Sequence, residues 1–254
     1  MIGKLGRIGT FAVAAGVSRA VHAGLRRRDD ERWRRENHAG RSVDLYAGPA
    51  TAVGTALAVA NAASGGSARS AAGGGPAALA VLAAGACGAY DDVKGDHRRG
   101  FRAHLEALRH GEVTSGAVKL LGIGGAGLVA GSLLKERPVD KVLAGVVIAG
   151  TAHLVNLVDV APGRAALTVL GLGVPGLLRG SLAAAPMGAA AAVLTDDLGE
   201  RTMLGDTGAH ALGAAVGSAI AAGNGRFGLA VHAAGLIAAA ACGERLSDLV
   251  RSPM

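Results

Sequence analysis

Charged residues are absent from Leu45 to Ala68 and again from Ser70 to Tyr90. At 1.5 Å per helical residue, either stretch is long enough to cross roughly 30 Å of hydrocarbon. Neither carries the polar stripe that a water-facing helix shows at a period of 3.6 residues, so both read as apolar all round. The same pattern recurs and predicts helices over about 3–25, 46–65, 72–90, 117–134, 139–158, 164–178, 180–195, 207–223 and 226–243. The expected fold is all-α: a polytopic transmembrane helix bundle of eight or nine spans, with residues 1–254 forming one integral membrane domain. Several middle segments have only fifteen to seventeen residues. They reach about 23–26 Å and need a thin bilayer or flanking arginines that snorkel.

Composition agrees with this pattern. Half of the 254 residues are hydrophobic and only 18% are charged, and the mean hydropathy of +0.38 is too high for most soluble domains. The 42 glycines include the pairs Gly127/Gly131 and Gly213/Gly217, spaced to let neighbouring helices approach closely. Aromatic residues make up 2% of the chain, which leaves little for an interfacial belt. Cys87 and Cys242 fall in predicted helices without metal-ligand spacing and are expected to be small core residues.

Lysine and arginine set the orientation. With the first helix running inward, the segments 26–41, 94–119, 164, 201, 245 and 251 carry seventeen of these residues, against eight on the opposite side. The positive-inside rule then puts the N-terminus outside and the long basic loops in the cytoplasm. The net charge of +7 reads as topology and attraction to anionic lipid, with no nucleic-acid partner. Lys4 and Arg7 before an apolar run resemble a secretory signal, but Arg19 and His22 interrupt its end, so an uncleaved first span is expected. The Arg26–Arg35 run with Trp33 is assigned to lipid headgroups. The stretch Asp96–Glu112, with Phe101, Leu105 and Leu108 at helical spacing, is expected to form an amphipathic surface helix. Gly122-x-Gly124-x-x-Gly127 matches a dinucleotide fingerprint but lies inside a predicted span, where helix packing accounts for it better.

Carboxylates near a bilayer are costly and are kept for a task or a partner. Asp91-Asp92 at the end of the third predicted span, Asp159 after the fifth and Asp206 before the eighth all fall on the cytoplasmic side of the orientation set by Lys and Arg alone. Carboxylates so gathered can hold a hard divalent cation beside substrate phosphates, although charged helix ends are ordinary and Asp91-Asp92 alone would not establish a site. His153, His210 and His232 lie in or beside apolar helices, where a lone histidine is more often a packing residue than a ligand. His210, four residues after Asp206, shares its helical face.

Tyr90-Asp91-Asp92-Val93-Lys94, Lys119, Asn156-Leu157-Val158-Asp159 and Met203-Leu204-Gly205-Asp206-Thr207-Gly208-Ala209 occur in the order seen in polyprenyl-phosphate phosphosugar transferases. The chain resembles that superfamily, which includes phospho-N-acetylmuramoyl-pentapeptide transferase and the GlcNAc-1-phosphate transferases, over most of its length. The resemblance implies an enzyme of the bacterial cytoplasmic membrane that moves a sugar-1-phosphate from a UDP-sugar to a polyprenyl phosphate. It would release UMP and use Mg²⁺, for which Mn²⁺ can substitute. Asp91, Asp92 and Asp206 would be catalytic, with Asp206 and Asp92 holding the metal. Lys119, Asn156, Asp159, Arg164 and His210 would bind substrate.

The pattern departs from the family in the loop after the fifth span. His153 stands for an Asn, Val160 for a Gly and Pro162 for an Asp, and Arg164 turns the local charge from acidic to basic. The His-rich loop that precedes the family's last helix is not found. These departures leave an alternative: a non-catalytic membrane subunit that binds polyprenyl phosphate or a partner protein. On either reading the expected protein partner is a second copy of the chain, as a homodimer, or another membrane protein.

Overall fold

The computed structural model describes residues 2–28, 30–37, 39–65, 68–95, 106–107, 109–112 and 114–243. Within them run nine α-helices: α1 (Ile2–Arg26), α2 (Ala47–Gly65), α3 (Ala68–Lys94), α4 (Ser115–Leu134), α5 (Pro138–Leu157), α6 (Arg164–Leu177), α7 (Ala184–Leu198), α8 (Gly205–Gly223) and α9 (Arg226–Ala241). Each matches an apolar segment of the sequence to within four residues at either end. Four contain stretches long and apolar enough to cross a membrane, namely Gly6–Arg26, Ala72–Lys94, Ser115–Leu134 and Pro138–Leu157, while α6 and α9 are apolar but shorter. The large apolar side chains sit on the outside. Ile8, Leu133, Leu178 and Phe227 are more than 60% exposed, whereas the buried core is mostly alanine with some valine. Water would penalise such a surface, and hydrocarbon does not.

Helix α8 is the hub, packing against α2, α3, α5, α6 and α7 and touching α4. Thr207 to Ala219 are buried without a break, which its Ala/Gly composition permits. A Cβ on Gly213 or Gly217 would come within 2.6 or 2.7 Å of Ala152 and Ile148 backbone atoms on α5. On another face of α5, a Cβ on Gly127 or Gly131 of α4 would meet the Gly145 backbone at 2.8 or 2.6 Å. The small-residue pairs thus seat α5 between α4 and α8 at backbone-contact distance. Gly122, Gly124 and Gly127 all lie within α4, so the dinucleotide-like string is helical.

Successive helices reverse direction. The C-terminal ends of α1, α3, α5 and α7 therefore meet the N-terminal ends of α2, α4, α6 and α8 at one end of the bundle, where the cross-helix bonds described below join them. The opposite end is closed by Arg226–Asp140 at 2.7 Å and by Lys135 donating to the Asn224 carbonyl at 2.8 Å.

Two features differ from the sequence reading. The basic segment after α1 folds into a small antiparallel hairpin, β1 (Arg34–Glu36) and β2 (Ser42–Asp44), with Arg35 opposite Val43. The Asn37 side chain accepts the Ala39 and Arg41 amides at 3.0 and 2.9 Å and closes the turn. Trp33 packs on the Tyr46 ring, and the Tyr46 hydroxyl accepts the Asp30 amide at 2.7 Å, so these aromatics fasten the hairpin to α2. Cys87 is half-buried in α3, but Cys242 is exposed just after α9. Most of the expected amphipathic stretch 96–112 lies outside the described residues.

Candidate active site

The site is built on the entry into α8. Leu204 supplies no side-chain cap to this helix. Asp92 does so from α3: one carboxylate oxygen accepts the Asp206 amide at 3.0 Å, and the other accepts the Thr207 amide at 2.9 Å and its hydroxyl at 2.6 Å. An anion here answers both the unpaired amides and the positive end of the helix dipole. Gly205 enters the helix at φ 58°, and a Cβ on it would stand 3.0 Å from both Asp92 oxygens. Gly208 lies against the backbone of Gly48, and Gly88 leaves room for the Asp206 carbonyl. Each residue of Gly205-Asp206-Thr207-Gly208 therefore has a local task, and Asp206 is the one whose side chain turns away from the cap.

That side chain meets Lys119 of α4. The Lys119 ammonium is 2.5 Å from Asp206 Oδ2 and 2.8 Å from Asp91 Oδ2, and all three side chains are about a fifth exposed. Three helices thus focus two carboxylates on one cationic point. The Asp206 carbonyl accepts the Nδ1 proton of His210 at 2.7 Å, which fixes the ring.

Asp92, expected beside Asp206 at a metal, is here engaged with the first turn of α8. Its oxygens are taken by the α8 terminus, and the carboxylate beside Asp206 is Asp91. Among the described residues no three His, Cys, Asp or Glu side chains converge on a point where a metal ion could sit. The Asp91–Asp206 pair nevertheless has the donor chemistry of a Mg²⁺ site, since that ion takes one or two carboxylates and completes its shell with water and substrate phosphate oxygens.

The remaining predicted residues divide between two cavities. Lys119, Asn156 and His210 line one of about 480 Å³ between α4, α5 and α9, together with His153 and an apolar wall of Leu120, Ile123, Val146, Leu236 and Ile237. Asp159 lines another of about 240 Å³, with Asn37, Asp197, Glu200 and Thr202. Arg164 opens α6 and lines neither. Burial, and then the negative charges of Asp197, Asp206 and Asp92, push the Asp159 carboxyl well above the usual carboxylate range.

Several residues to which the sequence assigns no role in the site also join this end of the bundle. Arg35 donates to the Asp92 carbonyl, tying the hairpin to α3. The Asp44 carboxylate accepts the Thr202 hydroxyl at 2.8 Å and lies 3.3 Å from the Arg26 guanidinium, so it joins α1, the hairpin and the loop before α8. Burial works against its charge, but His22, Thr202, the Tyr46 amide and Arg26 together hold its carboxyl below the usual range. Asp197, buried, accepts the Gly163 amide at 2.9 Å. Its neighbour Asp196 binds Arg19 and Arg201, each at 2.7 Å. Comparison with protein-family models and with curated proteins gives no match for this chain.

Proposed function

We propose that this chain is a multi-span membrane enzyme that transfers a sugar-1-phosphate from a UDP-sugar to a polyprenyl phosphate. The observation that carries the proposal is the Asp91–Lys119–Asp206 triad at the head of an apolar cavity. It puts phosphate-binding chemistry beside a surface suited to a prenyl chain. The Lys/Arg excess at the same end supports a cytoplasmic active face, with eight or nine of the helices spanning a bacterial cytoplasmic membrane.

In the reaction, a lipid phosphate oxygen attacks the sugar-bearing phosphorus of the nucleotide sugar. A new P–O bond forms, the bond to the bridging oxygen of the diphosphate breaks, and UMP leaves with that electron pair. Such a displacement asks the protein mainly for alignment and charge neutralisation. The Lys119 ammonium holds phosphate oxygens and offsets the charge that gathers on UMP. Asp91 and Asp206 aim that ammonium and are the residues that would hold Mg²⁺, whose chemistry is to neutralise the diphosphate as it separates. Asp92 keeps the α8 terminus in register so that Asp206 stays aimed. No base of unusual strength is required, because a phosphate monoester with a second pKa of about 6 is already largely ionised near neutral pH.

The smaller cavity suits the sugar. Its walls of Asp159, Asp197, Glu200, Thr202 and Asn37 are rich in acceptors for hydroxyl donors. The proposal is tested with the purified protein, a polyprenyl phosphate, Mg²⁺ and a panel of UDP-sugars. A lipid-linked product that needs Mg²⁺ and is lost in Asp206→Asn supports it. No product from any sugar, while a known phosphosugar transferase turns over in parallel, would leave the chain as a non-catalytic lipid-binding subunit.

A further inference from the structure

Of the polar groups lining the larger cavity to which the reaction above gives no task, His153 is the exposed one. His153 stands on α5 one turn before Asn156 and lines the cavity with Lys119 and His210. Lys119 is held by two carboxylates and His210 Nδ1 by the Asp206 carbonyl. The apolar wall begins where these groups end. It continues along α5 from His153 to Val146, seven residues or about 10 Å at the helical rise. Leu120 and Ile237 on its rim are 52% and 61% exposed, so the cavity opens sideways onto the surface that faces hydrocarbon.

A cation and nitrogen donors at one end, with an aliphatic trough open to the bilayer at the other, match an amphiphile whose head is a phosphate monoester. We infer that His153 is a ligand of the phosphate head of the lipid substrate, reaching it from the side of the cavity opposite α3 and donating a hydrogen bond beside the Lys119 ammonium. The inference rests on the transferase reading for the identity of the lipid, but not for the presence of the site. A trough of about 10 Å holds only the first part of a long chain, so a short prenyl phosphate fills it as well as a polyprenyl one.

The test is binding, not turnover. The full-length protein in lipid nanodiscs is titrated with farnesyl phosphate, farnesol and inorganic phosphate. His153→Ala is expected to weaken farnesyl phosphate about tenfold, the effect of one charge-assisted hydrogen bond. It should leave farnesol unchanged, and His153→Gln should recover part of the loss. Gly124→Phe projects into the trough from a position where a Cβ meets nothing within 4 Å, and it should weaken both lipids. If His153→Ala binds farnesyl phosphate like the wild type while Gly124→Phe does not, the His153 assignment is overturned and the trough stands. If Gly124→Phe has no effect, the lipid lies elsewhere and both fall. If inorganic phosphate competes as well as farnesyl phosphate binds, the ligand is free phosphate and the lipid assignment is wrong.

Discussion

Replacing Asp92 by Asn tests whether this residue is a cap or a ligand. The carboxylate takes three hydrogen bonds from the first turn of α8, at 3.0, 2.9 and 2.6 Å, and is 9% exposed. A carboxamide keeps one acceptor oxygen and turns an NH₂ toward a buried amide. One N–H is orphaned at a cost of about 1–3 kcal/mol. The lost charge at the helix N-terminus adds roughly 1 kcal/mol. A loss of about 3 kcal/mol lowers the melting temperature of a chain of this size by roughly 6–12 °C. Asp206→Asn is the control. Lys119 keeps Asp91, and one of two crowded carboxylates is removed, so its cost is within about 1 kcal/mol. Detergent-purified wild type, Asp92→Asn and Asp206→Asn are heated in steps, and the surviving monodisperse fraction is measured by size-exclusion chromatography. A melting point for Asp92→Asn within about 2 °C of wild type, or a fall as large in Asp206→Asn, would refute the division of labour between the two residues.

Three further outcomes follow from the packing and the electrostatics. Gly217→Val drives a side chain into the Ile148 backbone and should cost about 3 kcal/mol by thermal unfolding. Gly235→Ala, on an open face of α9, should instead stabilise by about 0.5–1 kcal/mol. Asp159→Asn should raise the melting temperature at neutral pH. The folded-state pKa of Asp159 lies above its unfolded value, so wild type is penalised increasingly as pH rises from about 4 through the folded pKa. The advantage of the mutant should vanish near pH 4, and a difference that does not change with pH would reject the assignment.

The helices were legible in the sequence because charges interrupt the apolar runs where helices end, and those runs have no polar face to confuse the reading. Asp91, Lys119 and Asp206 were legible as an ordered set. The separate duty of Asp92 was available but unread: adjacent residues on a helix project about 100° apart, so Asp91 and Asp92 cannot face the same partner. The rule that drew attention to Asp91-Asp92 applies equally to Asp196-Asp197, which also closes a helix and splits its contacts, one carboxylate to arginines and the other to the Gly163 amide. The pairing of His153 with Asn156 on one face follows from their spacing of three, but the convergence of that face with Lys119 and His210 is tertiary. The hairpin left no trace, because two three-residue strands rich in arginine carry too little alternation to register.

The most direct test of the central claim is the identity of the nucleotide released. The purified chain is incubated with Mg²⁺, farnesyl phosphate and UDP-sugars, and the products are separated by chromatography. Phosphosugar transfer carries the sugar's own phosphorus to the lipid and predicts UMP with a lipid diphosphate-linked sugar, both lost in Asp206→Asn. UDP with a lipid monophosphate-linked sugar would mean glycosyl transfer instead and would contradict the assignment of Asp91, Lys119 and Asp206 to a separating diphosphate.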